Sequence, residues 1–339
     1  IKSATDGHYH HDIHPGDVIA WPTNLGWMMG PWLIFAALIN RAAIALYGDA
    51  PTGRAFGRFV QDAKISMLGL VPSLVRQWRQ TDCMKGLNWS RIRAFSSTGE
   101  CSSHEIMFYL MHLAGYRPVI EYCGGTEIGG GYITNTVVQP CSPGTFSTAA
   151  LGSDFVILND QHCPADVGEL FLIPPSMGLS RTLLNKNHHE VYFKNTPGST
   201  DDRTLRRHGD QFERIAADGN GPCAGYFRAL GRADDTMNLA GVKVGSAEVE
   251  RVLNHTENVR ETAAVAVTDP EGGPSRLVVF AVLDDRAPSP QQLRAGMQQR
   301  IRQELNPLFK ISDLRVVDVL PRTASNKVMR RKLRAGYVQ

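Results

Sequence analysis

The sequence predicts an α/β fold, with parallel sheets covered by helices, a β-rich subdomain, and a small α+β C-terminal domain. Three observations carry this. Up to about Tyr122, short apolar runs alternate with segments of helical periodicity, the rhythm of a parallel sheet with helices on its faces. From about Phe155 to Ile173 the pattern turns to short strands broken at Asn159-Asp160 and Pro164. After Gly231 it changes again, to β-branched strands interleaved with helices. The implied division is 1–233 for a large domain, with its β-rich part at about 150–230, and 234–339 for a small one.

In chain order, Asp17 to Trp21 reads as a strand and Met28 to Arg41 as a helix. The apolar run from Trp27 to Ile39 contains Gly30 and Pro31 and is too short to span a bilayer, so a buried helix is expected and no transmembrane segment. A strand at Ala43 to Tyr47 leads to a helix at Gly53 to Ala63, and a strand at Ser66 to Leu70 to a helix opened by Pro72 and running to about Gln80. Proline suits a first helical turn because its missing N–H would have no partner there. Arg93 to Ser97 is a strand, Ser102 to Ala114 a helix, and Pro118 to Tyr122 a strand. Lys186 to Arg206 is polar and reads as a surface excursion. In the last part, Ser246 to Asn254 and Pro290 to Leu305 read as helices, and Thr262 to Thr268, Leu277 to Leu283 and Leu314 to Leu320 as strands.

The bulk properties exclude several classes. The chain has 339 residues, 42% hydrophobic and 20% charged, with a net charge of +3. That mild basic excess lacks the dense basic face of a nucleic-acid binder, so no nucleic-acid partner is expected. The one concentrated basic stretch, Arg330, Arg331, Lys332 and Arg334, reads as a solvated helix face. The six cysteines include no CxxC pair, which argues against a zinc ribbon, and they are sparse for a disulfide scaffold. The cluster His8, His10, His11, Asp12 and His14, flanked by Pro15-Gly16, reads as a surface loop rather than a metal site.

Two loops stand out because each follows a strand: Ser96-Ser97-Thr98-Gly99-Glu100, and Cys123-Gly124-Gly125-Thr126-Glu127 running into Gly129-Gly130-Gly131. In an open α/β sheet, ligands bind beyond the carboxyl ends of the strands. Glycines there let backbone amides approach a nucleotide closely. Taken singly, each loop is equally an ordinary strand-to-helix turn, and Thr126 and Glu127 also suit a helix N-terminus.

The sequence resembles the acyl-CoA synthetase branch of the adenylate-forming superfamily, and is similar to plant acyl-activating enzymes. The likeness runs over essentially the whole chain through motifs in family order. Thr98-Gly99-Glu100 resembles the adenine-contacting segment. Gly124-Gly125-Thr126-Glu127 resembles the GxTE motif, and His208-Gly209-Asp210 the ribose motif. Gly231-Arg232-Ala233-Asp234-Asp235 is similar to the hinge motif and continues as Asn238-Leu239-Ala240-Gly241-Val242-Lys243. Pro321-Arg322-Thr323-Ala324-Ser325-Asn326-Lys327 resembles the mobile lysine loop.

The resemblance implies ATP, Mg²⁺ and coenzyme A, with a carboxylic acid as the acyl substrate. It implies nucleotide contacts from Gly99, Glu100, Gly125, Thr126, Asp210 and Arg232, and magnesium held by Glu127. Catalytic roles fall to Lys327, Thr126 and Glu127. The C-terminal domain becomes a mobile lid turning about Asp234, with Gly241 and Lys243 on the coenzyme A side. The acyl pocket falls to Trp27 and Gly124; acetate-specific relatives carry tryptophan where this chain has Gly124.

The chain departs from the family at Cys123, where an aromatic residue is usual, at Asn326, where glycine is usual, and at Lys243 in place of arginine. The Ser/Thr/Gly-rich phosphate loop of the family does not occur in residues 1–339, so the chain is expected to start just downstream of it and to be impaired as given. The function implied is ATP-dependent acid activation followed by thioester formation. Loading of a carrier protein, or nucleotide binding without catalysis, are the alternatives. Tyr337-Val338-Gln339 is not a peroxisomal tripeptide, which leaves cytoplasm or peroxisome as the expected compartment.

Overall fold

The computed structural model describes residues 1–198, 203–216, 224–239, 242–267, 276–284, 287–323 and 326–338. Within it the chain divides into two units, residues 1–208 with 212–229, and residues 209–211 with 230–339.

The first unit opens with α1 (Lys2–Tyr9), β1 (Val18–Ala20), α2 (Met29–Ile39) and β2 (Ala43–Ile44). It continues with α3 (Arg54–Asp62), β3 (Met67–Leu70), α4 (Pro72–Thr81), β4 (Ala94–Ser97) and α5 (His104–Leu113). Then come β5 (Val119–Gly125), β6 (Gly130–Thr134) and β7 (Thr148–Ala149). These strands form one sheet in the order β2-β1-β3-β4-β5-β6-β7. The pairings from β2 to β5 are parallel, and β6 and β7 add on antiparallel. Parallel strands buried on both faces need apolar residues in succession, and β3 and β4 are buried at every position. Phe56, Val60, Trp78, Trp89, Phe95 and Leu110 pack into one core cluster, and Ile19, Trp21, Trp32, Met67 and Tyr122 into another.

A second sheet, ordered β11-β10-β9-β8, is built from β8 (Phe155–Leu158), β9 (Val167–Leu172), β10 (Arg206–Arg214) and β11 (Phe227–Arg232), with α6 (His188–Tyr192) between β9 and β10. β10 and β11 each contribute residues to both units.

The second unit follows with a 3-10 turn (Ala233–Asp235), the antiparallel pair β12 (Thr236–Leu239) and β13 (Val242–Gly245), and α7 (Ser246–Leu253). β14 (Val259–Val267), β15 (Arg276–Leu283), α8 (Pro290–Glu304), β16 (Ile311–Val316) and α9 (Arg330–Val338) complete it. β15 pairs antiparallel with β14 and parallel with β16. The alternation of β15 sends Leu277, Val279 and Ala281 into a cluster with Leu253, Leu293, Met297 and Ile301. Val278, Phe280 and Val282 enter a cluster with Leu333. The side chains of successive strand residues point to opposite faces, so a continuous apolar strand is covered on both.

Several expectations are corrected. The histidine cluster is not a surface loop. Its first residues finish α1, and His10 and His11 are buried because their ring nitrogens meet backbone and hydroxyl groups in the core. β5 extends to Gly125 and returns as an antiparallel hairpin, so no helix follows Glu127; pairing with β6 outcompetes the turn. The apolar run of α2 is only half covered, since Phe35, Leu38 and Ile39 face outward. The last strand runs from Ile311 to Val316 rather than 314–320. The polar excursion ends in buried Arg206 on β10. Arg330 is not solvated, because two carboxylates of its own unit enclose it.

Candidate functional site

The two singled-out loops meet at the carboxyl ends of β4 and β5. Thr98 Oγ1 donates to the carbonyl of Tyr122 on β5, and Thr98 N donates to Leu70 O on β3 at 3.3 Å. Gly99 follows in the left-handed region, φ +88°, where a glycine adds no strain. Glu100 then turns back to α4, where its Oε2 accepts from Ser73 N at 3.0 Å. A carboxylate there satisfies a donor without a helical partner and meets the positive end of the helix dipole. The loop is thus tied to three neighbouring elements.

The second loop is the β5–β6 turn. Gly125 pairs with Gly130, Ile128 N donates to Gly125 O at 3.0 Å, and Gly129 takes φ +70°. Thr126 is exposed at its tip. Glu127 folds back over Gly125, its two carboxylate oxygens 3.0 Å from where a Cβ would stand. Glu127 Oε1 is 3.5 Å from Nδ1 of His208, whose side chain is 7% exposed against 26% for Glu127. Its backbone carbonyl accepts from Ser180 N at 2.7 Å. Thr126, Glu127, Gly125 and His208 are therefore one cluster, and the loop of Gly99 and Glu100 is fastened to the same strand.

The structure adds residues that sequence reasoning missed. Arg206 lies with its guanidinium carbon 3.8 Å from the centre of the Tyr192 ring and donates to Ser180 Oγ at 3.3 Å. Burial lowers the Arg206 pKa, opposed by Tyr192 and Glu127. Burial and then Glu127 raise that of the Tyr192 phenol. Only the adjacency of Arg206 to His208-Gly209-Asp210 could have marked it; nothing in the sequence marks Ser180 or Tyr192.

In the second unit, Asp210 Oδ1 and Arg232 Nη1 are 3.1 Å apart. Gly209, at φ +85°, lies so close that a Cβ there would stand 2.7 Å from Arg232 Nη2. The two residues expected at the ribose are thus neighbours. Asp234 sits in the 3-10 turn between β11 and β12. The backbone of Lys243 lies in β13, and the side chains of Asp234 and Lys243 are outside the described residues, as is Gly241 entirely. Lys327 is exposed, and its N donates to Thr323 Oγ1 at 3.2 Å. Arg322 and Val328 bridge across this loop, with Asn326 at φ +65°. That left-handed conformation suits glycine, and asparagine is among the few other residues that adopt it readily. Ala324 and Ser325 lie outside the described residues.

The two residues expected at the acyl pocket lie on different elements. Trp27 is partly buried in the turn before α2, its N donating to Asn24 O at 3.3 Å. Gly124 sits where β5 and β6 approach closely. A Cβ there would stand 2.0 Å from the carbonyl oxygen of Gly130, because β5 and β6 approach at a register shift beside it. Glycine at 124 is what this strand contact demands.

The set around Glu127 gathers a carboxylate, a hydroxyl and closely packed glycine backbone at one sheet end. Mg²⁺ is commonly held by one or two carboxylates together with substrate phosphates and water. Glu127, a partly exposed carboxylate at a turn, fits that use. Among the described residues no group of three or more His, Cys, Asp and Glu side chains forms a metal cage. No described helix is long and apolar enough to cross a membrane.

Comparisons with known proteins bear on the family and the fold. Residues 248–327 match the AMP-binding enzyme C-terminal domain. The chain is 51% identical to probable acyl-activating enzyme 17, peroxisomal, of Arabidopsis thaliana, over 100% of this chain and 47% of that protein. It is 49% identical to hexanoyl-CoA synthase of Cannabis sativa, over 99% of this chain and 47% of that protein. It is 27% identical to acetyl-coenzyme A synthetase of Chlorobaculum tepidum, over 98% of this chain and 51% of that protein. The chain thus spans about half the length of these relatives. Among solved structures, acetoacetyl-CoA synthetase from Streptomyces lividans matches with TM-score 0.81 at 23% identity, over 96% of this chain and 49% of that one. That likeness speaks for the fold. The chain is a homologue of plant acyl-activating enzymes and acyl-CoA synthetases, and it carries an AMP-binding enzyme C-terminal domain.

Proposed function

We propose that this homologue of the acyl-CoA synthetases is the nucleotide-binding and lid-bearing part of an ATP-dependent acid–thiol ligase. A carboxylate oxygen of the acid attacks the α-phosphorus of ATP, and the bond to the β-phosphate oxygen breaks, giving an acyl-adenylate and pyrophosphate. The sulfur of coenzyme A then attacks the acyl carbon, the thiol proton is lost, and AMP leaves. The observation that carries this reading is the hydrogen bond from Thr98 to Tyr122 O, which fastens the first candidate loop to β5, the strand that runs into the second. Ligands of open α/β sheets bind there.

Each residue has a role set by its chemistry. Gly99, Glu100 and Gly125 line the adenine side, where small residues let the base approach backbone. Asp210 accepts from the ribose hydroxyls, and Arg232 holds both the ribose and the Asp210 carboxylate. Thr126 donates to a phosphate oxygen. Glu127 holds Mg²⁺, which when bound neutralises phosphate charge. Lys327 supplies positive charge between the attacking carboxylate and the α-phosphate, the electrostatic stabilisation that such reactions need most. The C-terminal domain turns about Asp234 between the half-reactions, bringing Gly241 and Lys243 to the thiol. One lid then serves two reactions.

The acid is proposed to be longer than acetate, with Trp27 at the pocket. Support comes from the relative called hexanoyl-CoA synthase, 49% identical, against 27% for the acetyl-coenzyme A synthetase. The compartment is proposed as peroxisomal or cytoplasmic; the likeness to probable acyl-activating enzyme 17, peroxisomal, favours the former. The test is calorimetric titration of the 339-residue chain with AMP and with a non-hydrolysable acyl-adenylate analogue. The analogue is expected to bind more tightly than AMP. Binding of neither defeats the proposal, and equal binding favours a nucleotide-binding fragment without an acyl site.

A further inference from the structure

Lys327 stands in a short hairpin whose arms are bonded to each other. Met329 N donates to Pro321 O at 2.8 Å, and Arg322 bridges antiparallel to Val328. Beyond that neck, Thr323 N donates to Lys327 O at 2.8 Å, and Asn326 N to Thr323 O at 2.9 Å. The peptide unit between Asn326 and Lys327 has both its polar groups taken by side chains of the facing arm. Its carbonyl, Asn326 O, accepts from Arg322 Nη1 at 2.6 Å. Its N–H, on Lys327, donates to Thr323 Oγ1 at 3.2 Å. A peptide unit is planar, so holding both groups fixes its plane and the direction in which the Lys327 side chain leaves the backbone.

Arg322 is itself held from the sheet. Its Nη2 meets the carboxylate of Glu261 on β14, and each side chain is 22% exposed. That shelter spares the pair most of the screening that makes open surface pairs weak. Glu261 follows a register shift at which β14 bulges against β15, and a bulge re-aims the side chains beside it. One guanidinium therefore runs from the sheet of the second unit to the peptide that precedes Lys327. The planar fork of arginine serves two separate acceptors in a fixed geometry, which the point charge of a lysine does not reproduce. Glu261 lies far from the loop in sequence, and no motif marked it.

We infer that Arg322 and Glu261 are positioning residues for Lys327, fixing the root of its side chain through the Asn326 carbonyl. Neither touches the reacting groups. Lys327 keeps an exposed side chain on a fixed base, so its charge is delivered from one direction. The inference rests on the proposed role of Lys327 in adenylate formation.

The experiment compares wild type with Arg322→Met, Arg322→Lys and Glu261→Ala, in two arms. In the 339-residue chain, amide exchange of Lys327 is read by NMR beside that of β14 and β15. All three variants are expected to speed Lys327 exchange about tenfold, the worth of one such hydrogen bond in an equilibrium, while the strands keep their protection. In a protein of its relatives' length, pyrophosphate exchange is expected to fall about tenfold as well. Thioester formation from supplied acyl-AMP is expected to stay unchanged. Arg322→Lys keeps the test decisive if Arg322→Met does not fold. Unchanged Lys327 exchange in Arg322→Lys and Glu261→Ala overturns the inference. Equal loss of both half-reactions makes the pair merely structural and overturns it too. Arg322→Lys matching wild type in both arms overturns the two-acceptor geometry, because charge alone then suffices. Where Lys327 exchange rises but pyrophosphate exchange does not fall, Lys327→Ala run alongside decides. Loss of activity in Lys327→Ala then overturns the positioning role; no loss upholds the anchor and refutes the ligase reading of Lys327.

Discussion

Arg330 grips Glu250 at two points, with Nη2 on Oε2 at 2.7 Å and Nε on Oε1 at 3.0 Å. Its remaining nitrogen Nη1 reaches Asp235 at 2.9 Å. One guanidinium therefore ties α9, which follows the Lys327 loop, to α7 and to the turn that holds Asp234. Both partners of the main pair are largely shielded, with side-chain exposures of 16% and 11%. Removing one partner leaves the other charge buried and unpaired, which typically costs 3–5 kcal/mol, whereas replacing both with apolar groups costs far less. Arg330→Met is expected to destabilise the second unit by roughly that amount, and Arg330→Met with Glu250→Met to regain much of it. Urea unfolding followed by hydrogen exchange in β14 and β15 reads this; equal destabilisation by both variants would contradict it.

Lys327 is exposed and bonded only through its backbone among the contacts described. On the proposed ligase reading, in a protein of its relatives' length, Lys327→Ala is expected to abolish adenylate formation while sparing thioester formation from supplied acyl-AMP. Loss of one such electrostatic contact costs roughly 10²–10³ in rate. Pyrophosphate exchange measures the first half-reaction and thioester release the second. Equal loss in both steps would make Lys327 structural.

Gly124 has no room for a side chain. Gly124→Ala puts a methyl 2.0 Å from Gly130 O, so β5 and β6 must part. The expected result is a loss of stability of about 2 kcal/mol or more, in line with overpacking elsewhere. Thermal melting checks it. On the proposed ligase reading, in a protein of its relatives' length, Gly124→Trp is expected to lose activity toward all acids together; a clean shift toward acetate would place Gly124 at the acyl pocket.

Two buried groups set opposite pH limits on stability. Burial lowers the His11 pKa from 6.5 to about 4, against the Asp6 carbonyl contact that raises it. The unfolded chain then binds the proton more readily, so stability falls as pH drops from about 6.5 to about 4. By the linkage relation the loss is of order 3 kcal/mol. His11→Gln, which keeps a donor toward Ser96, is expected to flatten this slope. Glu121 has the reverse sign. Its folded pKa is raised from 4.5 to about 8, so the folded state keeps a proton the unfolded chain releases. Stability falls as pH rises from 4.5 to 8, and Glu121→Gln removes that fall. The two slopes cancel between about pH 4.5 and 6.5, so wild-type stability is flat there and falls from about pH 6.5 to 8. Chemical denaturation at pH 5, 6.5 and 8 is the measurement; a Glu121→Gln variant that still falls between pH 6.5 and 8 as wild type does would contradict the Glu121 assignment, and a His11→Gln variant that shows no fall from pH 5 to 6.5 would contradict the His11 assignment.

The element pattern was largely legible in the sequence. Apolar periodicity and turn residues placed the helices at Arg54–Asp62, Pro72–Thr81 and Pro290–Glu304 within a residue or two. Such signals are local, and the packing here agrees with them. The histidines were misread because their polarity suggested solvent. In the fold, Asp6 O, Ser96 Oγ, Asn135 O and Leu151 N supply partners that make neutral imidazoles acceptable in the core. The sequence leaves the turn after Gly125 open, because a glycine-rich segment is equally compatible with a helix start and with an antiparallel return; the structure shows the return.

The sequence by itself determined the alternation of strands and helices from Asp17 to Tyr122 and the succession of motifs from Thr98 to Lys327. These follow from residue types at fixed spacings along the chain, which no tertiary contact alters. Only the tertiary structure decided which residues stand side by side. That Ser97, Glu121 and Asn135 share one row follows from the strand register. That Gly124 excludes a side chain follows from the register shift of β5 against β6. Register is set by which faces of distant strands can be buried together, and a chain read one segment at a time does not contain that information.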